Sequence, residues 1–126
     1  MVSFSSFRAV NGPPIYQQIV DFVRRGCAAG TISDGDELPS RRVLSALLSI
    51  NPNTVQKAFR LLEDEGLIES RSGAKSYVRL SPAKADALRA ALLRDDVRSV
   101  TRTLKQLGIP REQALRLIAE FWEEEP

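Results

Sequence analysis

The stretch "INPNTVQKAF", residues 50–59, places a proline at the start of an otherwise helical pattern. Asn51 is a favourable N-cap, and Pro52 at the first helical position has a preset φ and no amide hydrogen to leave unsatisfied. Apolar residues then recur at helical spacing, which predicts a buried stripe of Val55, Ala58, Phe59 and Leu62. We therefore predict a helix over residues 51–65, with Gly66 just past its end.

The opposite face of this predicted helix carries amides and cations, namely Asn53, Gln56, Lys57 and Arg60. In the major groove of DNA, amide side chains pair bidentately with adenine and cations with guanine. Thr54 can bond a phosphate or touch a thymine methyl group, and the free backbone amides at the helix start favour a nearby phosphate. Taken alone, the pattern also fits a plain amphipathic helix whose polar face is solvated.

Neighbouring segments place this helix in a larger motif. We predict a helix over 14–29 and another over 40–49, with Ser40 as N-cap of the second. The second helix would bury an apolar face of Leu44, Leu47 and Leu48. The sequence "LIESRSGAKSYVRL" at 67–80 alternates around a Ser-Gly pair and predicts a two-stranded hairpin. This order of helices and strands is that of a winged helix-turn-helix. It favours the hypothesis that the polar face binds DNA over the hypothesis that this face is merely solvated.

The segment after the hairpin is helical and rich in apolar side chains. We predict one long helix from Pro82 to Leu107, with a break near Asp95 and Asp96 as the alternative, and a last helix from Pro110. The apolar faces are Leu88, Leu92, Val100, Leu104 and Leu107 on the long helix, and Leu115, Ile118, Phe121 and Trp122 on the last. Two helices cannot bury so many on each other. A homodimer interface is therefore predicted, and packing back onto the first helix is the alternative.

The predicted fold class is mainly α with a small β-hairpin. We expect a winged helix-turn-helix domain over 1–80, in which 1–12 form an extended or disordered arm, and a helical dimerisation tail over 81–126. The chain has 126 residues, one cysteine and no histidine, which removes histidine-based catalysis and most zinc sites. Glycine-rich phosphate loops are absent too, so we expect no enzyme, metal or cofactor. With no apolar run of membrane-spanning length and no signal peptide, we expect a cytoplasmic protein.

Several motifs stand in a familiar order. They are "PIYQQI" at 14–19, "GTISDGDELPSRR" at 30–42, "NPNTVQKA" at 51–58, "LEDEGLIE" at 62–69 and "RSG" at 71–73. Together they resemble the GntR family of bacterial transcription regulators over residues 13–80. "NPNTV" and the short helical tail are similar to its YtrA-like branch.

The resemblance implies a homodimeric regulator, usually a repressor, that binds a double-stranded DNA operator. It implies contacts to phosphate or base from Arg42, contacts to bases from Asn53, Thr54 and Gln56, and a wing glycine, Gly73, near the minor groove. The sequence departs from the family at Arg41, where glutamate is usual, and at "GAKSYV", which lacks the second wing glycine.

We predict that DNA is contacted by Ser40, Arg41, Arg42, Asn51, Asn53, Thr54, Gln56, Lys57, Arg60, Ser72, Gly73 and Lys75. The operator should be a pseudo-palindrome. Two tail helices cannot enclose a ligand pocket of about 300 Å³, so a small-molecule effector, of unknown identity, would have to bind at the dimer interface. A competing hypothesis is a winged-helix module that binds protein through the third helix, which would require an apolar exposed face there.

Overall fold

The computed structural model describes residues 1–71 and 75–126. Within them, five helices accompany a small antiparallel sheet of three strands, which confirms the mainly α winged-helix class. The helices are α1 (Ile15–Ala29), α2 (Arg41–Leu48), α3 (Pro52–Asp64), α4 (Pro82–Gln106) and α5 (Arg111–Trp122). The strands are β1 (Glu37–Leu38), β2 (Ile68–Ser70) and β3 (Ser76–Val78).

Side-chain caps fix where the two helices of the helix-turn-helix begin, as predicted. Ser40 Oγ accepts a hydrogen bond of 3.1 Å from the Val43 amide at the start of α2. Asn51 Oδ1 accepts one of 2.8 Å from the Asn53 amide at the start of α3. Each cap satisfies a backbone donor that has no partner inside the helix. The cap at Asn51 thereby fixes the residue at which α3 begins.

The core of the first compact unit, Met1–Arg89, lies where α1, α2 and α3 meet. Its most enclosed side chains are Ile19, Val23, Leu44, Val55, Phe59 and Leu62. Burying an aliphatic or aromatic side chain of this size stabilises a fold by about 1.5–3 kcal/mol. The stripe predicted for α3 is therefore confirmed.

The predicted apolar face of α2 is only partly correct. Leu44 is fully buried and Leu48 half-buried, but Leu47 is 65% exposed. In a helix of eight residues, positions four apart lie over one another, so Leu44 and Leu48 form the packed stripe. Leu47 falls to one side of it.

The sheet contains one strand that was not predicted. β1 pairs antiparallel with β3, with Glu37 opposite Tyr77, and β3 pairs with β2 on its other side. The hairpin predicted within 67–80 is present, with strands of three residues each. The wing is thus anchored by a strand that precedes α2 as well as by its own hairpin.

The arm over residues 1–12 contains no helix or strand, but it is packed. Val2, Phe4 and Phe7 are buried, and the Val2 amide donates to the Glu37 carbonyl at 2.8 Å. The Phe22 ring on α1 lies 5.0 Å from that of Phe4 and 5.6 Å from that of Phe7, between centroids. The prediction of an extended or disordered arm missed this aromatic cluster.

α4 is one helix, so the predicted long helix is confirmed across Asp95 and Asp96. Two side chains assigned to the dimer interface, Leu88 and Leu92, are only 9% and 7% exposed within the single chain. They have little surface left for a second copy, which corrects that part of the predicted interface.

The second compact unit, Ala90–Pro126, contains the rest of α4 and the whole of α5. α5 has no buried residue. The functional division predicted between residues 80 and 81 stays a prediction. Among residues 1–71 and 75–126, no helix has the length and apolar character that crossing a membrane requires.

Candidate nucleic-acid interface

The polar face of α3 is open to solvent from its first turn. Asn53, Lys57 and Arg60 are exposed, and Thr54 and Gln56 are half-exposed. In the described part of the chain, no side-chain hydrogen bond or ion pair engages Asn53, Gln56 or Arg60. The residue types predicted to contact bases therefore share one accessible helix face, with their hydrogen-bonding groups available.

Lys57 is positioned by Tyr16, which no sequence motif marked as part of this surface. Its Nζ lies 4.0 Å from the centroid of the Tyr16 ring, in the first turn of α1. A cation over an aromatic face is attracted by the ring quadrupole. The Tyr16 hydroxyl in turn accepts a hydrogen bond of 3.4 Å from Gln17 Nε2. The start of α1 thus borders the polar face of α3.

The two arginines at the start of α2 have different surroundings. Arg42 is exposed, and within the described residues it has no charged or hydrogen-bonding partner. Arg41 is half-buried, with Nη2 3.5 Å from Glu63 Oε1 and its guanidinium 5.7 Å from the Phe59 ring centroid. The positive end of the helix dipole repels nearby cations, which is unfavourable for both arginines. The carboxylate of Glu63 offsets this repulsion for Arg41 but not for Arg42. Arg42 is the cation available for an outside anion.

The wing carries cations on both sides of its tip. Lys75 is exposed, with Nζ 4.0 Å from a carboxylate oxygen of Glu37. Arg71, which was not among the predicted contacts, lies 4.6 Å from the Tyr77 ring centroid and 4.0 Å from a Glu69 oxygen. Its position two residues before the glycine of "RSG" was the available signal. The predicted contacts Ser72 and Gly73 lie outside the described residues.

Cys27, the single cysteine of the sequence, is buried in α1. Among the residues described, no three His, Cys, Asp or Glu side chains are grouped as metal ligands would be. Burial, with a smaller contribution from Asp36, raises the pKa of the Cys27 thiol to about 11. A thiol with so high a pKa is a poor nucleophile near neutrality.

Comparison with known proteins agrees with the geometry. The family model described as "Bacterial regulatory proteins, gntR family" matches residues 15–78. The chain is 36% identical to the HTH-type transcriptional repressor YtrA of Bacillus subtilis, over 80% of this chain and 73% of that protein. It is 31% identical to the HTH-type transcriptional regulator YhcF of the same organism, over 87% of this chain and 91% of the relative.

A solved structure of similar length extends the likeness to the tail. The GntR family transcriptional regulator from Listeria monocytogenes superposes with a TM-score of 0.79 at 27% sequence identity. That match covers 89% of this chain and 98% of the Listeria chain. The likeness therefore includes residues beyond the segment that the family model matches.

Proposed function

Because the chain belongs to the GntR family of bacterial regulatory proteins and is a DNA-binding transcription regulator, we propose that it is a homodimeric repressor of a pseudo-palindromic operator. In this proposal each subunit places α3 in the major groove and the wing, residues 67–80, against the adjacent backbone. The relative YtrA is named a repressor, which supports that direction of regulation.

The observation that carries the proposal is the two-sided character of α3. Its apolar side is enclosed by the core, whereas Asn53, Gln56 and Arg60 face solvent with their polar groups available. An α-helix fits the major groove, and amide and guanidinium groups distinguish the base edges there. A protein-binding module would instead present apolar side chains on this face, so the competing hypothesis loses support.

Phosphate contacts are assigned to cations that flank this face. Arg42 lies in the first turn of α2, whose backbone amides add positive potential, and Lys75 lies beside the wing tip. Contacts of this kind fix the protein on the duplex and carry little sequence information. We therefore assign base selection to α3 and non-specific affinity largely to these flanking residues.

The tail supports the homodimer. α4 and α5 border an open groove of about 640 Å³ in the second compact unit, with Val100, Leu104, Ala114, Leu117, Ile118, Phe121 and Trp122 in its lining. Phe121 is 50% and Trp122 75% exposed, which is unusual for large aromatic side chains clustered in one place. We assign the dimer interface to Val100, Leu104, Leu107, Leu115, Ile118, Phe121 and Trp122.

Selection of DNA from a random-sequence duplex library by the purified protein tests this function. We expect the sequenced product to be an inverted repeat whose half-sites lie on one face of the helix, about one turn apart. Protection of both half-sites from hydroxyl-radical cleavage would then locate the two subunits. A library that gains no common sequence over successive rounds would contradict the proposal.

A further inference from the structure

A small polar cluster connects the start of α2 to the far end of β2. Glu63 Oε1 on α3 accepts a hydrogen bond of 2.7 Å from Ser70 Oγ and lies 3.5 Å from Arg41 Nη2. Ser70 Oγ lies a further 3.4 Å from the hydroxyl of Ser76, its partner across the hairpin. Oε1 of Glu63 thus contacts one side chain of the helix-turn-helix, Arg41, and one of the wing, Ser70.

Arg41 is held on more than one side. Its guanidinium lies over the ring of the buried Phe59, and its side chain is only 33% exposed. Its Nε is enclosed and has no hydrogen-bond partner within the described structure. Turning Arg41 outward to a phosphate would break the Glu63 and Phe59 contacts together. Arg42, one residue later, needs no such rearrangement.

The cluster acts at the end of β2, at the level where Ser76 also pairs with Leu38 of β1. The base of the wing is held by the buried side chains of Leu67, Ile68 and Val78. Ser70 is the last residue of β2, next to the tip segment. A contact at Ser70, whose cross-strand partner Ser76 directly follows Lys75, therefore constrains the position of Lys75 relative to α3.

We propose that Arg41 and Glu63 are positioning residues, which act through Ser70 and its cross-strand partner Ser76 to hold Lys75 where it meets the DNA backbone. This inference rests on the proposed function. It replaces the expectation that Arg41 itself contacts DNA. It also gives a role to an arginine at a position where the family usually has glutamate.

The sharpest test removes the negative charge of Glu63. On charge alone, loss of an acid should strengthen binding to a polyanion. If Glu63 positions the wing, Glu63→Ala should instead weaken binding to the library-selected duplex about fivefold, a moderate coupling loss. Binding to a scrambled duplex should weaken as well, because Lys75 contacts the backbone of either duplex. Fluorescence anisotropy titration measures both, and Glu63→Gln, which keeps an acceptor for Ser70, should show a smaller loss.

Asp64→Ala is the matched control, because Asp64 is the next acid along α3 and is exposed. It has no ion-pair or hydrogen-bond partner within the described residues. We expect Asp64→Ala to leave affinity unchanged or to raise it. If Glu63→Ala raises affinity for the selected duplex as well, the inference is wrong.

A salt series separates the two arginines. Arg42→Ala should reduce the slope of log K against log salt by about 0.9 per subunit, the value for one lost phosphate contact. Arg41→Ala should weaken binding about as much as Glu63→Ala. In the Lys75→Ala background it should leave the slope unchanged, because the phosphate contact that Arg41 positions is already absent. A further reduction of the slope in that background, as large as that caused by Arg42→Ala, would make Arg41 a phosphate contact and overturn the inference.

A double-mutant cycle with Lys75 supplies a readout that a general loss of stability would not change. In the Glu63→Ala background, Lys75→Ala should cost less than half of its effect in the wild type, because Lys75 is already displaced from the DNA backbone. Fully additive effects would contradict the inference. A wild-type protein with no preference for the selected over the scrambled duplex would instead remove the proposed function, and this inference with it.

Discussion

Gln56 lies one turn into α3, half-exposed and at the side of the buried stripe that contains Val55 and Phe59. Its amide can donate to one atom and accept from another on the same adenine edge. We expect Gln56→Ala to cost about 1–3 kcal/mol on the selected operator and to relax the preference at one base position. Binding to scrambled duplex should hardly change. Repeating the library selection with the variant measures both effects, and an equal loss on the two DNAs would show that Gln56 does not select bases.

Tyr16 extends the interface to the first turn of α1 through its contact with the Lys57 ammonium. Tyr16→Leu should release Lys57 and weaken operator binding two- to fivefold, as expected from a cation–π contact of about 0.5–1 kcal/mol. Tyr16→Phe keeps the ring and should bind like the wild type. Anisotropy titration of operator DNA with each variant measures the two affinities. A loss with Tyr16→Phe as large as with Tyr16→Leu would point to the hydroxyl, and so to a contact other than the one described.

Among the elements, the arm offers the clearest stability test. Phe4 is 6% exposed and packs against the rings of Phe7 and Phe22. Phe4→Ala should lower the free energy of unfolding by about 3 kcal/mol, the usual order for deleting a buried aromatic side chain. Urea unfolding at fixed protein concentration measures it. Val10→Ala, in the same arm but 62% exposed at the wild-type residue, should change stability by less than about 0.5 kcal/mol.

Elements defined by local signals were predictable from the sequence. The caps at Ser40 and Asn51, and the left-handed glycine Gly66 with φ of 75°, depend on residues within one turn of the helix end. β1 was missed because its two residues have no pattern of their own. They form a strand only by pairing with Tyr77 and Ser76, some 40 positions later in the chain.

Contacts between side chains far apart in the sequence could not be predicted from local patterns. Helical periodicity places Arg41 in the first turn of α2, but it does not reveal that Glu63 lies within reach across the α2–α3 crossing. The arm aromatics gave no periodic signal, since their partner Phe22 belongs to another element. In the tail, spacing alone could not separate Leu88 and Leu92, which are covered within one chain, from the exposed apolar side chains further on.

At the scale of the whole molecule, the two compact units have different roles in our proposal. The first carries the polar face of α3 and the wing, and the second carries the exposed apolar side chains of α4 and α5. One winged helix contacts only a few base pairs, which is too little information to locate an operator in a genome. Pairing of two copies doubles the contact with DNA and covers the apolar groove. Dimerisation would therefore complete the DNA-binding surface of the first unit and bury the exposed apolar side chains of the second.

Leu104 lies in the lining of that groove, and Leu104→Glu should place a charge where the second copy packs. We expect a folded monomer that binds a half-site weakly and loses at least tenfold in operator affinity, because the second half-site no longer contributes. Sedimentation at micromolar concentration gives the oligomeric state, and titration of operator and half-site duplexes gives the affinities. Gln106→Glu introduces the same side chain two residues away at an exposed position and should stay dimeric. A wild type that sediments as a monomer, with full operator affinity kept in Leu104→Glu, would refute the tail as the dimer interface and leave its exposed apolar groove to another partner.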